Sequence, residues 1–131
     1  MGLLEHLHPK LVHFPIALFL SAWVLVVLSQ LLKKEPMYKA AMYVYVMAAF
    51  SSALAVLSGL WEANRLNLHH PVLYAHRNYA IILLIVSWIG VVAMRRRPLF
   101  ICFCWLTAVL VFVVGYFGGE LVFHYGVGVS S

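Results

Sequence analysis

Apolar positions in this chain run continuously between charges and do not alternate with them. Lys10 to Lys33 encloses 22 residues free of Lys, Arg, Asp and Glu, Lys39 to Glu62 another 22, Arg77 to Arg95 17, and Arg97 to Glu120 22. About 20 apolar residues cross a bilayer as a helix. The third gap reaches that length when Val72 to His76 extend it at its start. The strands of an outer-membrane barrel would alternate. The pattern therefore predicts four transmembrane helices, over residues 11–32, 39–61, 72–94 and 98–118, with a tail over 119–131. The connections between them are short, which suits an up-down-up-down bundle of antiparallel neighbours. The fold class expected is all-α, an integral membrane four-helix bundle, with residues 1–131 as one domain. The first span is expected to be retained. Its flank is His-rich with only Lys10, its apolar run is too long for a signal peptide, and no A-x-A-like cleavage site follows.

Composition agrees with lipid as the solvent. Hydrophobic residues make up 65% of 131 and charged residues 10%, with a mean hydropathy of +0.97. A soluble domain carries about 25% charged residues. This argues against a soluble enzyme, a nucleic-acid-binding module, a disordered segment and a disulfide scaffold. The chain has no Asp, so a Ser–His–Asp set is impossible. Lys33, Lys34, Lys39, Arg95, Arg96 and Arg97 lie on one side of the four spans, and Lys10, Arg65 and Arg77 on the other. The excess of positive charge faces the cytoplasm. Both termini are then expected on the non-cytoplasmic side of a bacterial inner membrane.

The histidines carry the most information. His6, His8, His13, His69, His70, His76 and His124 all fall at the outer ends of the expected spans, level with Glu62 and Glu120. His70 precedes Pro71, and Pro suits the first turn of a helix, so His70 is a candidate cap. His13 and His76 lie within spans, and an ionisable residue at membrane depth is a functional hypothesis by default. His13, Ala17 and Ser21 share a helix face, as do His76, Ala80, Leu83, Ser87 and Gly90. Small residues line helix contacts in membranes, so both histidines are expected to point into the bundle. Pro15 deprives the Leu11 carbonyl of its usual partner, so the first helix must kink or begin there.

Two imidazoles from facing helices can ligate a haem iron from both sides. Such a site needs an apolar slot and cations near the propionates. Arg77, Lys10 and Arg65 could supply the cations, and Tyr79 and Phe14 could line the slot. Two other sites use the same residues. A zinc or copper ion would take His13 and His76 with His8 or His124. A quinone would exchange protons with His13, His76, Glu62 and Glu120. Cys102 and Cys104 fall on different faces near the cytoplasmic end and are read as packing or lipid-facing thiols. Ala41, Tyr45, Ala48, Ser52, Ala55 and Gly59 form a packing stripe on the second helix. Gly115-x-x-x-Gly119 is a weak dimerisation signal.

Two segments resemble a known family. His8-Pro9-Lys10-Leu11-Val12-His13-Phe14-Pro15-Ile16-Ala17-Leu18 is similar to the N-terminal signature of the membrane family catalogued as domain of unknown function 2231. Gly118-Gly119-Glu120-Leu121-Val122-Phe123-His124-Tyr125-Gly126-Val127-Gly128-Val129 is similar to its C-terminal signature. A single His opening the third helix, here His76, fits as well. Relatives are sometimes joined to Rieske-type iron–sulfur modules, and that association implies electron transfer. Their C-terminal motif carries His at the position of Tyr125, whereas this chain has His124 one position earlier.

The expectation is a small b-type cytochrome-like subunit. It would carry electrons between the quinone pool and a periplasmic partner, through haem b held near the outer face. His13 and His76 are the expected axial ligands, His8 a supporting or alternative ligand, and Arg77 a propionate partner. The alternatives are a cofactor-free accessory subunit of a larger respiratory or photosynthetic complex, or a His-based metal or quinone site. The partners expected are the lipid bilayer and other membrane or periplasmic electron-transfer subunits, with no nucleic acid.

Overall fold

The structure is a computed structural model that describes residues 11–65, 67 and 69–126. Its elements are α1 (His13–Leu31), α2 (Glu35–Arg65), α3 (Pro71–Ala93) and α4 (Arg97–Phe123). All four are long and apolar enough to cross a membrane. Each helix packs on its neighbours in the chain and α1 also packs on α4, which closes a four-helix bundle. Contact is densest within the α1–α2 and α3–α4 hairpins and sparser between them.

Local sequence sets the ends. After α1, Lys33 takes a left-handed conformation (φ 53°), and the Lys34 N–H bonds the Ser29 carbonyl at 3.1 Å. That pattern satisfies carbonyls the helix would otherwise leave open. His70 caps α3: its Nδ1 accepts the Val72 N–H at 3.2 Å, and Pro71 follows. Two helices outrun their apolar segments. α2 begins at Glu35 and ends at Arg65, where each charge opposes the helix dipole favourably. α4 continues to Phe123, so residues 119–123 are helical and do not belong to the tail. The Gly118-Gly119 pair weakens helix propensity, but lipid offers no water to replace lost backbone hydrogen bonds.

The core fills one end of the bundle, called here the arginine end. Tyr38, Tyr45, Phe19 and Phe100 are all buried there or toward the middle. Their rings meet edge to face: Tyr38 on Phe100 at 5.8 Å, Tyr45 on Phe100 at 5.1 Å and Phe19 on Tyr45 at 5.4 Å. Ala22, Ala41 and Ala48 are fully buried between them. The Tyr45 ring lies against Gly90 of α3 so closely that no Cβ fits there. Arg97 bonds Glu35 at 2.7 Å and lies 4.2 Å above the Tyr38 ring, tying α4 to α2.

Buried serine and threonine hydroxyls turn to their own helices. Ser29 donates to Val26, Ser52 to Ala49, Ser87 to Leu84 and Thr107 to Phe103, all within 3.0 Å. The α2 stripe predicted from the sequence faces the core, and so does the lower part of the α3 stripe. The α1 stripe does not. Ala17 and Ser21 are exposed, and α1 buries Pro15, Phe19, Ala22, Val26 and Ser29 instead. The larger side chains decide which way α1 turns because they fill the space between helices. Cys102 is exposed and Cys104 buried, as their spacing predicts.

Candidate functional site

The opposite end, where the described histidines lie, is hollow. A cavity of about 610 Å³ opens there, with walls from all four helices. His13, Pro15 and Ile16 come from α1, and Ser52, Ala55, Gly59 and Glu62 from α2. His76, Arg77, Ala80 and Leu83 come from α3, and Val114, Gly115, Gly118, Gly119 and Leu121 from α4. The floor is apolar. The rim carries Asn64, Asn67, His69 and Tyr74.

His13 opens α1, with Val12 as the residue before the helix and Pro15 in the first turn. Leu11 is itself helical and Val12 keeps right-handed helical angles (φ −66°, ψ −24°), so Pro15 marks an interruption between Leu11 and α1. The side chain of His13 borders the cavity while the residue stays exposed. His76 sits in the second turn of α3, half-buried against α4. Its Nδ1 lies 3.1 Å from the Val114 carbonyl. A carbonyl oxygen only accepts, so Nδ1 carries hydrogen. In the neutral ring the lone pair is then on Nε2. Histidines that bind metals characteristically donate their other ring N–H to such a carbonyl.

Glu62, expected as a proton-exchanging partner of a quinone, belongs to the cavity wall. It is 9% exposed, and no hydrogen bond or ion pair joins it to another described residue. The signal was present: Glu62 is the next member of the Ala41–Gly59 stripe, three residues beyond Gly59. Gly118 was likewise read as part of an end motif. In the structure a Cβ at Gly118 would lie 3.2 Å from Cε1 of His76 and 3.5 Å from Nδ1. Gly115 has nothing within 4 Å of such a Cβ, and Gly119 meets only Phe123 at 4.0 Å.

The rim is hydrogen-bonded within itself. The His69 Nε2–H donates to Asn67 at 3.0 Å, and Nδ1 accepts the Tyr74 hydroxyl at 2.7 Å. The Arg77 guanidinium stands 5.1 Å over the Tyr74 ring and borders the cavity.

Other expected participants lie elsewhere. Tyr79 stacks on Phe117 at 5.4 Å, and Phe14 is 66% exposed, so neither lines the slot. Both ring positions fall on helix faces turned toward lipid once Phe19 and Leu83 have set the rotation of α1 and α3. Arg65 lies over Trp61 at 5.3 Å, away from the cavity wall. His124 pairs with Glu120 at 3.3 Å on the outside of α4. His8 and Lys10 lie outside the described residues. Among the described residues no group of three or more His, Cys, Asp or Glu side chains could hold a metal ion. The cavity thus brings together His13, His76, Glu62 and Arg77, and leaves His124 and Glu120 out.

No curated protein and no solved structure matches the chain. A family model described as "Predicted membrane protein (DUF2231)" matches residues 5–131, nearly the full length. The four apolar helices and the hollow histidine end are therefore features of a chain that belongs to the DUF2231 family of membrane proteins.

Proposed function

We propose that this protein is a small b-type cytochrome-like subunit that carries electrons between the quinone pool and a periplasmic partner. One observation carries the reading: His13 and His76, from two different helices, border the same cavity, and His76 is anchored through Nδ1 on a backbone carbonyl. A pair of imidazoles across an apolar slot is the donor set of a six-coordinate haem. The cavity volume falls within the range of roughly 300–1,000 Å³ typical of cofactor pockets. His13 and His76 would hold the iron of haem b, Arg77 at the rim would meet a propionate, and His8 would support one ligand. The haem would supply one-electron chemistry, while the protein fixes its ligands and keeps water out of the slot.

The excess of Lys and Arg at the other end supports the orientation. The bundle runs up-down-up-down in a bacterial inner membrane, with both termini and the haem at the periplasmic face. An electron carrier at that depth suits exchange with a lipid-borne quinone on one side and a periplasmic subunit on the other.

The test is a reduced-minus-oxidised absorption spectrum of the full chain, purified in mild detergent from cells supplied with haem. A sharp α-band is expected, and it should be lost with His13→Ala and His76→Ala. A flat spectrum overturns the reading. A second reading has its own support in Glu62. Two acceptors, the Glu62 carboxylate and the His76 ring, suit the two hydroxyl donors of a hydroquinone. Quinone in the solvent extract of a sample with no α-band would favour it.

A further inference from the structure

We infer that Gly118 is a positioning residue that sets which nitrogen of His76 faces the cavity. The imidazole reaches the Val114 carbonyl through Nδ1 at 3.1 Å, and a Cβ at Gly118 would crowd the same ring. Val114 and Gly118 are one helical turn apart, so the carbonyl and the notch form a single cradle on α4. A methyl group 3.2 Å from Cε1 and 3.5 Å from Nδ1 would push the ring away by a few tenths of an ångström. That displacement works against a hydrogen bond already 3.1 Å long. A larger group would break it. With the bond made, Nδ1 holds the hydrogen and Nε2 the lone pair. Without it, the Val114 carbonyl no longer holds the hydrogen on Nδ1, and a metal ligand loses the partner that orients it from α4.

The other two glycines of this turn make the comparison clean. Gly115 and Gly119 also border the cavity, yet a Cβ on either meets open space or ordinary contact. Alanine at 115, 118 or 119 therefore changes helix propensity alike and touches His76 only from 118. The consequence for ligation rests on the haem reading; the state of the imidazole does not.

The experiment uses the full chain labelled with 15N-histidine in lipid bilayers, before and after haem is added. Solid-state NMR reads the ring nitrogens, and His76 is assigned from the signals lost in His76→Gln. Before haem, the wild type, Gly115→Ala and Gly119→Ala should show one His76 population with hydrogen on Nδ1. Gly118→Ala should shift that resonance, and Gly118→Val should give mixed or reversed protonation. After haem, Gly118→Val should lose at least half of the low-spin absorption that the wild type shows. Unchanged His76 resonances in both Gly118 variants overturn the inference. An absence of haem absorption in all the proteins overturns the haem reading instead, while the NMR still decides the role of Gly118. If Gly118→Val does not fold, Gly118→Ala carries the test.

Discussion

The two ends of this bundle are built from the same four helices and put to opposite uses. At the arginine end four aromatic rings interlock, alanines let the helices close on them, and an arginine crosses from α4 to α2. At the histidine end small residues sit where rings would, and a cavity of about 610 Å³ remains. Lipid tails are as apolar as a leucine side chain, so helices in a bilayer gain little from burying apolar surface and depend on packing. One end supplies that packing. The other leaves it incomplete, which a ligand can remedy. Dense packing and open space are thus separated along the bundle axis, and mutations at the two ends should report on different things.

The largest expected effect is at the filled end. Phe100 is fully buried and touches both Tyr38 and Tyr45. Phe100→Ala should lower the stability of the detergent-solubilised chain by about 3–5 kcal/mol, the usual range for a buried Phe. Thermal unfolding followed by circular dichroism checks it. His76→Ala, at the hollow end, should lower ligand content far more than it lowers stability. Equal losses of stability from the two changes would mean that the ends are not separate.

A middle-sized effect lies at Gly90. The Tyr45 ring leaves no room for a Cβ there, so Gly90→Ala should destabilise by about 1–3 kcal/mol through overpacking. The closest atom is the Tyr45 hydroxyl oxygen. Tyr45→Phe in the same chain should therefore recover part of the loss. If the double variant is no better than Gly90→Ala alone, the contact between α2 and α3 is not what the glycine serves.

Much of this division was legible in the residues. Nine Lys and Arg and four Glu marked where helices could cross, because a charge within lipid is costly. The spacing of Ala41, Tyr45, Ala48 and Ser52 showed which face of α2 packs. Three of the histidines that the sequence gathers at one level, His13, His69 and His76, border the cavity. What the sequence did not reveal is rotation about a helix axis. Ala17 and Ser21 matched a packing stripe, yet they face outward, because Phe19 and Val26 compete for the same interior and are larger. For the same reason Tyr79 and Phe14 were misplaced in the slot. Gly118 could not be paired with His76 either, since the two lie 42 positions apart in the chain. Periodicity reports a stripe, but only the partner helix decides which of two stripes is buried.

The smallest expected effect is also the one of opposite sign. Glu62 continues the α2 packing stripe, lies nine-tenths buried, and no other described residue satisfies its carboxylate. Glu62 borders the cavity, and a stripe position chosen for packing alone would carry an apolar side chain. Glu62→Leu should therefore raise the stability of the ligand-free chain, by about 1 kcal/mol, the low end of the gain seen when buried ionic groups are replaced by apolar ones. The low end applies because Glu62 is only three residues from the end of α2, where the rim is polar. If the cavity is a binding site, the same variant should bind its occupant less well, whether that is haem or a hydroquinone. Gain of stability with loss of binding would place Glu62 among the residues kept for function. A loss of stability would mean that the carboxylate supports the fold, and the hollow end would then be structural as well.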